Sequence, residues 1–246
     1  MQEKKVWFKN SRGQKLCGIL HLPAKDTNLA ILIAHGVAAN KDMERLIIFS
    51  NKLAEQGYAS FRFDFGGSGE SEIRPITLEA QIDDLDSAIN YLKKQYSSVG
   101  VIGESFGALT VESVYDSRID AMILLSAITA AKHPYSLRKK EVIDKLNKTG
   151  YFEFTKDGQE FSFTKQYLDE RLNVNQKELL SKIKIPVLLI HGDKDIVIPL
   201  SDSKKALQYL PKGSKLEVIT GATHTLNSAV DEVIKLILEW FKEHLK

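Results

Sequence analysis

The stretch that decides the fold is VIGESFGALT, residues 101–110. It closes a short apolar run, passes through Gly103-Glu-Ser105-Phe-Gly107, and continues into helix-forming residues. Gly-x-Ser-x-Gly placed directly after a strand and directly before a helix reads as a strained turn that exposes the serine. The glycines permit close neighbours, and the serine is presented at the carboxyl end of the sheet, where open α/β sheets bind ligands. A helix beginning at Phe106 directs its free backbone N–H groups and positive dipole end at the same point. A serine hydroxyl is a poor nucleophile by itself. The reading therefore requires a base, an orienting acid and an oxyanion site elsewhere in the chain.

On either side of this stretch the chain alternates. Ala30–Ala34 is an all-apolar run, the pattern of a strand buried on both faces. Met43 to Gln56 has helical spacing and stops at Gly57. Tyr58–Phe65 reads as a strand followed by the loop Gly66-Gly-Ser-Gly69. Thr77 to Tyr96 reads as a helix capped by Thr77. Ser98–Ile102, Phe106–Tyr115 and Asp120–Ser126 continue strand, helix, strand. Pro186–Ile190, Leu200–Leu210, Lys215–Ile219 and Ala229–Leu245 complete the order. Repeated strand-then-helix order predicts an α/β fold with a mostly parallel central sheet flanked by helices. Val6–Phe8 and Leu16–Leu22, joined by Asn10-Ser-Arg-Gly13, predict an antiparallel pair at one edge.

One region interrupts the alternation. Residues from about 130 to 181 contain no buried-strand run. They contain Asp157-Gly158, a strong two-residue hairpin signal. Centring the turn there pairs Phe154 with Phe161 and Phe152 with Phe163, with all four rings on one face. We expect a cap of helices around a small hairpin, inserted into a single domain spanning residues 1–246. The functional expectation for the rings is a wall for an acyl or aryl pocket; the structural one is a small core inside the cap.

Composition narrows the field. A net charge of +2 with no dense basic run argues against nucleic-acid partners. The first ten residues are polar and the apolar runs are too short to cross a bilayer, so a cytoplasmic location is the default expectation. The single cysteine, Cys17, excludes an internal disulfide and reads as a buried structural thiol. Neither His-Glu-x-x-His nor paired cysteines occur, so no metal is expected. Gly66-Gly-Ser-Gly69 lacks the lysine of a phosphate loop and the full dinucleotide spacing. No cofactor is implied, and the oligomeric state is left open.

There are six histidines to supply a base. His21 lies in the N-terminal pair, His35 and His191 end strands as His-Gly, His133 opens the cap and His244 ends the last helix. His224 differs: Gly221-Ala-Thr-His224 follows the final strand, at the carboxyl end of the sheet. Two aspartates in His191-Gly-Asp193-Lys-Asp195 compete as its orienting acid. Asp193 follows the glycine directly and suits a turn-closing role, whereas Asp195 lies further into the loop and is preferred. For the oxyanion, the backbone N–H groups of Phe106 and of Val37, in His35-Gly36-Val37-Ala38, are the expected donors.

His35-Gly36-Val37, Asp64-Phe-Gly-Gly-Ser-Gly-Glu-Ser71, Gly103-Glu-Ser-Phe-Gly107, His191-Gly-Asp-Lys-Asp195 and Gly221-Ala-Thr-His224, in this order, resemble the α/β-hydrolase superfamily over essentially the whole chain. Within it the chain is similar to small carboxylesterases, including cinnamoyl and feruloyl esterases, and to short-capped acyl thioesterases. Glu104 stands where histidine is common, and Val37 where an aromatic is often found. The resemblance implies Ser105 as nucleophile, Asp195 as acid and His224 as base, in the chain order expected of that fold. It implies hydrolysis of small to medium acyl or aryl esters through an acyl-enzyme, with thioesters as the alternative substrate. A peptidase would be expected to bring a propeller or gating domain, and a dehalogenase an aspartate nucleophile. A non-catalytic binding module would be expected to lose triad members, and all three are present.

Overall fold

A computed structural model describes residues 2–131 and 140–246. The chain runs through β1 (Gln2–Lys9), β2 (Lys15–Leu22), β3 (Leu29–Ala34), α1 (Glu44–Glu55), β4 (Ala59–Phe63) and α2 (Leu78–Lys93). It continues with β5 (Ser98–Glu104), α3 (Phe106–Val114) and β6 (Ala121–Leu125). The cap follows as α4 (Lys140–Thr149), β7 (Tyr151–Lys156), β8 (Gln159–Thr164), α5 (Lys165–Leu172) and α6 (Gln176–Leu180). The last elements are β9 (Val187–Gly192), α7 (Leu200–Ala206), β10 (Lys215–Ile219) and α8 (Val230–His244).

Eight strands form one sheet in the order β1-β2-β4-β3-β5-β6-β9-β10. The β1–β2 and β2–β4 pairings are antiparallel and the others parallel. This is the expected α/β architecture with its antiparallel edge. β3 lies between β4 on one side and β5 on the other, so the chain reverses its direction of travel across the sheet there. At such a switch point the loops leaving two neighbouring strands part and open a crevice. The loops that meet here are His35–Ala38, after β3, and Ser105, after β5.

The two faces of the sheet bury separate clusters, as strand alternation requires. Ala30, Leu32 and Ala34 of β3 face α2, while Ile31 and Ile33 face α1 and α8. Phe241 of α8 packs over Gly100 of β5: a Cβ on Gly100 would sit 2.5 Å from the Phe241 ring. The missing side chain lets a helix aromatic lie directly on the strand that carries Ser105.

The cap contributes a third cluster. Val142 and Leu146 of α4, Phe161 and Phe163 of β8, and Tyr167 and Leu168 of α5 pack against Phe106 and Leu109 of α3. The hairpin turns at Asp157 and Gly158 with φ of 51° and 76°, the left-handed pair that a two-residue turn of type I′ needs. Its register pairs Phe152 with Phe163 and Phe154 with Phe161, as the sequence predicts. His133, at the start of the cap, lies outside the described residues.

Some boundaries differ from the expectation. β1 extends over Gln2–Lys9 because an edge strand with exposed lysines carries little apolar signal. The helix expected over Leu200–Leu210 ends at Ala206 and tightens into a 3₁₀ turn over Leu207–Tyr209. Pro211 forces Leu210 into extended backbone, which closes the helix early. Among the described residues no helix is long and apolar enough to cross a membrane.

Phe241→Ala is expected to lower the unfolding free energy by about 3–5 kcal/mol, the usual loss for a buried aromatic. Lys235→Ala, on the exposed face of α8, should change it by less than about 0.5 kcal/mol. Chemical denaturation of both variants checks the difference.

Candidate active site

The turn between β5 and α3 holds Ser105 at φ 53° and ψ −110°. A non-glycine residue at such a φ carries strain on the order of 1–3 kcal/mol, which the surroundings must offset. The Ser105 N–H donates to the Leu125 carbonyl at 2.9 Å, and the Ser105 carbonyl accepts from Ile128 N–H at 3.3 Å and Leu109 N–H at 3.4 Å. The two glycines are required by contact. A Cβ on Gly103 would lie 2.6 Å from Ala108 Cα, and one on Gly107 would lie 2.4 Å from the Ala34 carbonyl oxygen. Helix α3 therefore rests directly on the ends of β3 and β5, and Ser105 is turned outward at the corner.

His224 sits in the loop after β10, with Nε2 2.9 Å from Ser105 Oγ and Nδ1 2.7 Å from Asp195 Oδ2. The Asp195 side chain has no solvent exposure. Its Oδ1 accepts the N–H groups of Val197 at 2.8 Å and Ile198 at 2.9 Å. His191 Nε2 lies 3.2 Å from Oδ2. Burial by itself would raise this carboxyl. The hydrogen bonds from His191, His224 and Ile198 N–H outweigh it and hold Asp195 well below the usual carboxylate range. An ionised Asp195 requires the proton of His224 on Nδ1, which leaves the Nε2 lone pair facing Ser105.

Asp193 serves elsewhere: its carboxylate accepts Gly221 N–H at 2.7 Å and braces the loop that carries His224. His191 is buried, with Nδ1 2.8 Å from Ser203 Oγ and Nε2 3.0 Å from the Ile198 carbonyl. It fixes the loop around Asp195. His35 is buried too, its Nδ1 2.7 Å from the Gly36 carbonyl and its Nε2 accepting Phe65 N–H at 3.2 Å. Burial lowers its pKa, so it stays neutral and anchors the turn after β3. His21 meets Arg62, and His244 meets the Trp240 carbonyl, both away from Ser105.

The Val37 and Phe106 N–H groups bond to no backbone carbonyl among the described residues. Phe106 opens α3, where the first N–H groups of a helix have no partner within it. Gly36 brings the Val37 loop against the serine: a Cβ there would lie 3.3 Å from Ser105 Cβ.

Ser105 and His224 line a cavity of about 260 Å³ that also meets Val37, Ile128, Val197 and Ile198. Its cap wall is Phe154, Lys156, Phe163, Tyr167 and Arg171. Of the four expected phenylalanines, Phe154 and Phe163 reach it. Phe161 lines a neighbouring cavity with Phe154, and Phe152 lies beneath Lys145. Rings two residues apart on a strand are displaced by roughly 6.6 Å, so one ring from each strand suffices to span the opening. Phe154 and Phe163, 5.4 Å apart, are that diagonal pair. Phe163 then stacks on Tyr167 at 4.7 Å, and Tyr167 meets Phe106 edge-on at 5.0 Å. Aromatic contact thus runs from the cap to the residue after Ser105.

Sequence reasoning noted Glu104 only as a departure from the family pattern and did not single out Arg45, Lys156, Tyr167 or Arg171, which also line the cavity. Arg45 and Glu104 form a buried ion pair beside the serine, and Arg45 also reaches Asn227 Oδ1 at 3.5 Å. Lys156 Nζ donates to the Ala38 carbonyl at 2.9 Å, tying the hairpin to the loop after β3. Tyr167 and Arg171 share one face of α5 by their spacing of four, the available sequence signal. The Gly66–Gly69 loop does not line the Ser105 cavity. Cys17 is buried and its thiol is pushed up to about 11 by burial. Among the described residues no cluster of three or more His, Cys, Asp or Glu is placed to hold a metal ion.

The family model described as serine aminopeptidase, S33, matches residues 25–171. The chain belongs to this family. With it comes the assignment to α/β-type serine hydrolases. The esterase domain of a Rhodothermus marinus protein is similar, at 25% identity and a TM-score of 0.77, over 99% of each chain. Est1E of Butyrivibrio proteoclasticus, in complex with ferulic acid, shares the fold at 23% identity and a TM-score of 0.84, covering 97% of this chain and 98% of that one. An uncharacterized protein, YfhR, of Salmonella typhimurium is 26% identical over 233 residues, which cover 84% of this chain and 70% of the relative. The chain covers 65% of the Escherichia coli YfhR, at 28% identity.

Gly107→Ala is expected to destabilise the fold by about 1–3 kcal/mol through overpacking against the Ala34 and His35 carbonyls. A thermal melt matching wild type would contradict the close approach of α3 to β3.

Proposed function

We propose that this serine hydrolase cleaves small to medium carboxylic esters through an acyl-enzyme on Ser105. The observation that carries the reading is the continuous hydrogen-bonded line from Asp195 through His224 to Ser105 Oγ, opening into an apolar cavity. Ser105 Oγ attacks the ester carbonyl while His224 Nε2 takes its proton. The Val37 and Phe106 N–H groups hold the oxyanion of the tetrahedral intermediate. The intermediate collapses, the C–O bond to the alcohol breaks, and His224 returns the proton to the leaving oxygen. A water then attacks the acyl carbonyl, giving its proton to His224, and the acid leaves as Ser105 regains its hydrogen. Asp195 stays ionised throughout and stabilises the imidazolium.

Charge in the cavity favours an ester over a peptide with a free amino terminus. An aminopeptidase must hold an ammonium group, which calls for an available carboxylate. Glu104 is the carboxylate lining the cavity, and Arg45 occupies it. The remaining charged cap residues on the wall, Lys156 and Arg171, would repel an ammonium.

The test is hydrolysis of 4-nitrophenyl esters alongside labelling by a fluorophosphonate. Ser105→Ala is expected to lower kcat by on the order of 10⁶ and to abolish labelling, the scale known for a lost triad nucleophile. Asp195→Asn should lower kcat by about 10⁴, since the amide no longer enforces the tautomer of His224. Asp193→Asn should stay close to wild type, because the amide oxygen still accepts Gly221 N–H. Equal losses in the two aspartate variants would overturn the assignment.

A chain-length series tests the cap. Each methylene buried against Phe154 and Phe163 contributes roughly 0.8 kcal/mol to transition-state binding. Joint replacement of both by alanine should reduce kcat/KM more for hexanoyl than for acetyl esters. An equal loss at every length would instead mark the rings as packing within the cap.

A further inference from the structure

The same cavity contains a cation that the reaction above does not use. Arg171, on α5, is 1% exposed and lines the cavity that holds Ser105 and His224. Its Nε and Nη1 atoms are buried without a hydrogen-bond partner, while the guanidinium bonds to the Tyr167 hydroxyl. Two orphaned donors on a buried cation are costly, on the order of 1–3 kcal/mol or more each. Such a group in a folded protein calls for an explanation, and a ligand that completes the site supplies one.

The nearby acid does not complete it. Glu112, on α3, is fully buried, and neither of its carboxylate oxygens has a hydrogen-bond partner among the described residues. Burial pushes its pKa well above the usual carboxylate range, against the attraction of Arg171. Burial lowers the pKa of Arg171, yet a guanidinium keeps its proton at any physiological pH. Glu112 and Asp202 both attract the charge of Arg171, yet among the described residues no group hydrogen-bonds its Nε or Nη1. Lys156 adds a second cation to the same wall, and Glu104 is neutralised by Arg45. The charged residues lining this apolar chamber, Arg45, Glu104, Lys156 and Arg171, carry a net positive charge, and Arg171 holds the unmet donors.

We propose that Arg171 is a specificity-determining residue which binds a carboxylate carried by the ester substrate, so that the preferred substrates are anionic esters, such as half-esters of dicarboxylic acids. This rests on the esterase reading and names its substrate class. The guanidinium fork accepts a carboxylate through two parallel N–H···O bonds, a geometry lysine does not reproduce. The Tyr167 hydroxyl, raised to about 12 by burial and so protonated, adds a further donor at the same end.

The experiment compares kcat/KM for monomethyl adipate with that for methyl hexanoate, its neutral counterpart, by titration of released acid. A second pair, 4-butyryloxybenzoate against phenyl butyrate, places the carboxylate on the alcohol side. Wild type is expected to prefer the charged member of at least one pair by about tenfold or more, as a charge-assisted pair predicts, and the pair that responds identifies which arm faces Arg171. Arg171→Met should abolish the preference, and Arg171→Lys should retain part of it. Each preference is a ratio within one preparation, so a loss common to both substrates leaves it unchanged. In parallel, calorimetry on Ser105→Ala should show monomethyl adipate binding more tightly than methyl hexanoate. That arm separates the two claims: binding preference without hydrolysis sinks the esterase reading and keeps the anion site. A wild-type protein with no preference in either pair overturns the proposal. So does an Arg171→Met variant that keeps the preference, or one that loses both substrates equally while melting lower, which marks a structural brace only. If Arg171→Met does not fold, the wild-type ratios and Arg171→Lys still decide.

Discussion

Everything at the site depends on how closely α3 approaches the sheet. Gly103 and Gly107 leave no side chain between the helix and the strand ends, and the Gly107 backbone lies against the carbonyls of Ala34 and His35. That approach forces the backbone at Ser105 into a left-handed φ and turns its hydroxyl outward. It also brings the loop after β3 against the loop after β5, because these strands are neighbours at the point where the strand order reverses. Serine, helix N-terminus and the Val37 loop thus converge as one consequence of one packing contact. Against the strain at Ser105 stand its hydrogen bonds with Leu125 and Ile128, outside the turn, and with Leu109 in the first turn of α3.

The second layer is electrostatic. Asp195 is a buried carboxylate that keeps its charge because backbone N–H groups and two histidines surround it. One group so held orders another: His191 fixes the loop, Asp195 fixes the tautomer of His224, and His224 faces Ser105. The cap wall of the cavity lacks such closure. There Arg171 is buried with donors unmet, and burial raises the pKa of Glu112, whose carboxylate oxygens also lack a hydrogen-bond partner among the described residues. A satisfied network beside an unsatisfied one is a local inconsistency of the kind that folded proteins carry at functional sites.

Much of this was legible in the chain. The alternation of apolar strands and amphipathic helices specifies the parallel sheet, since both patterns arise directly from burial. Asp157-Gly158 specifies the hairpin register, because few residue pairs tolerate two left-handed φ values. Ser105, Asp195 and His224 were legible because each lies in a loop that follows a strand at the carboxyl end of the sheet, and the structure brings them together. What sequence could not convey is depth. Nothing local marks Arg171 as buried; its place follows from how α5 lies over α3. Nor does spacing alone tell that Phe154 and Phe163 reach the cavity while Phe152 and Phe161 do not. The ion pair of Arg45 with Glu104 joins residues 59 positions apart, which only the fold brings together.

The central claim is that Ser105 becomes acylated. A stopped-flow mix of the protein with excess 4-nitrophenyl butyrate, followed by acid quench and peptide mass mapping, tests it most directly. The account predicts a burst of one nitrophenolate per protein molecule and a butyryl mass on the peptide carrying Ser105. A butyryl mass on Cys17, Ser68 or Ser71 instead, or turnover with no burst and no adduct from quenched samples, would contradict it.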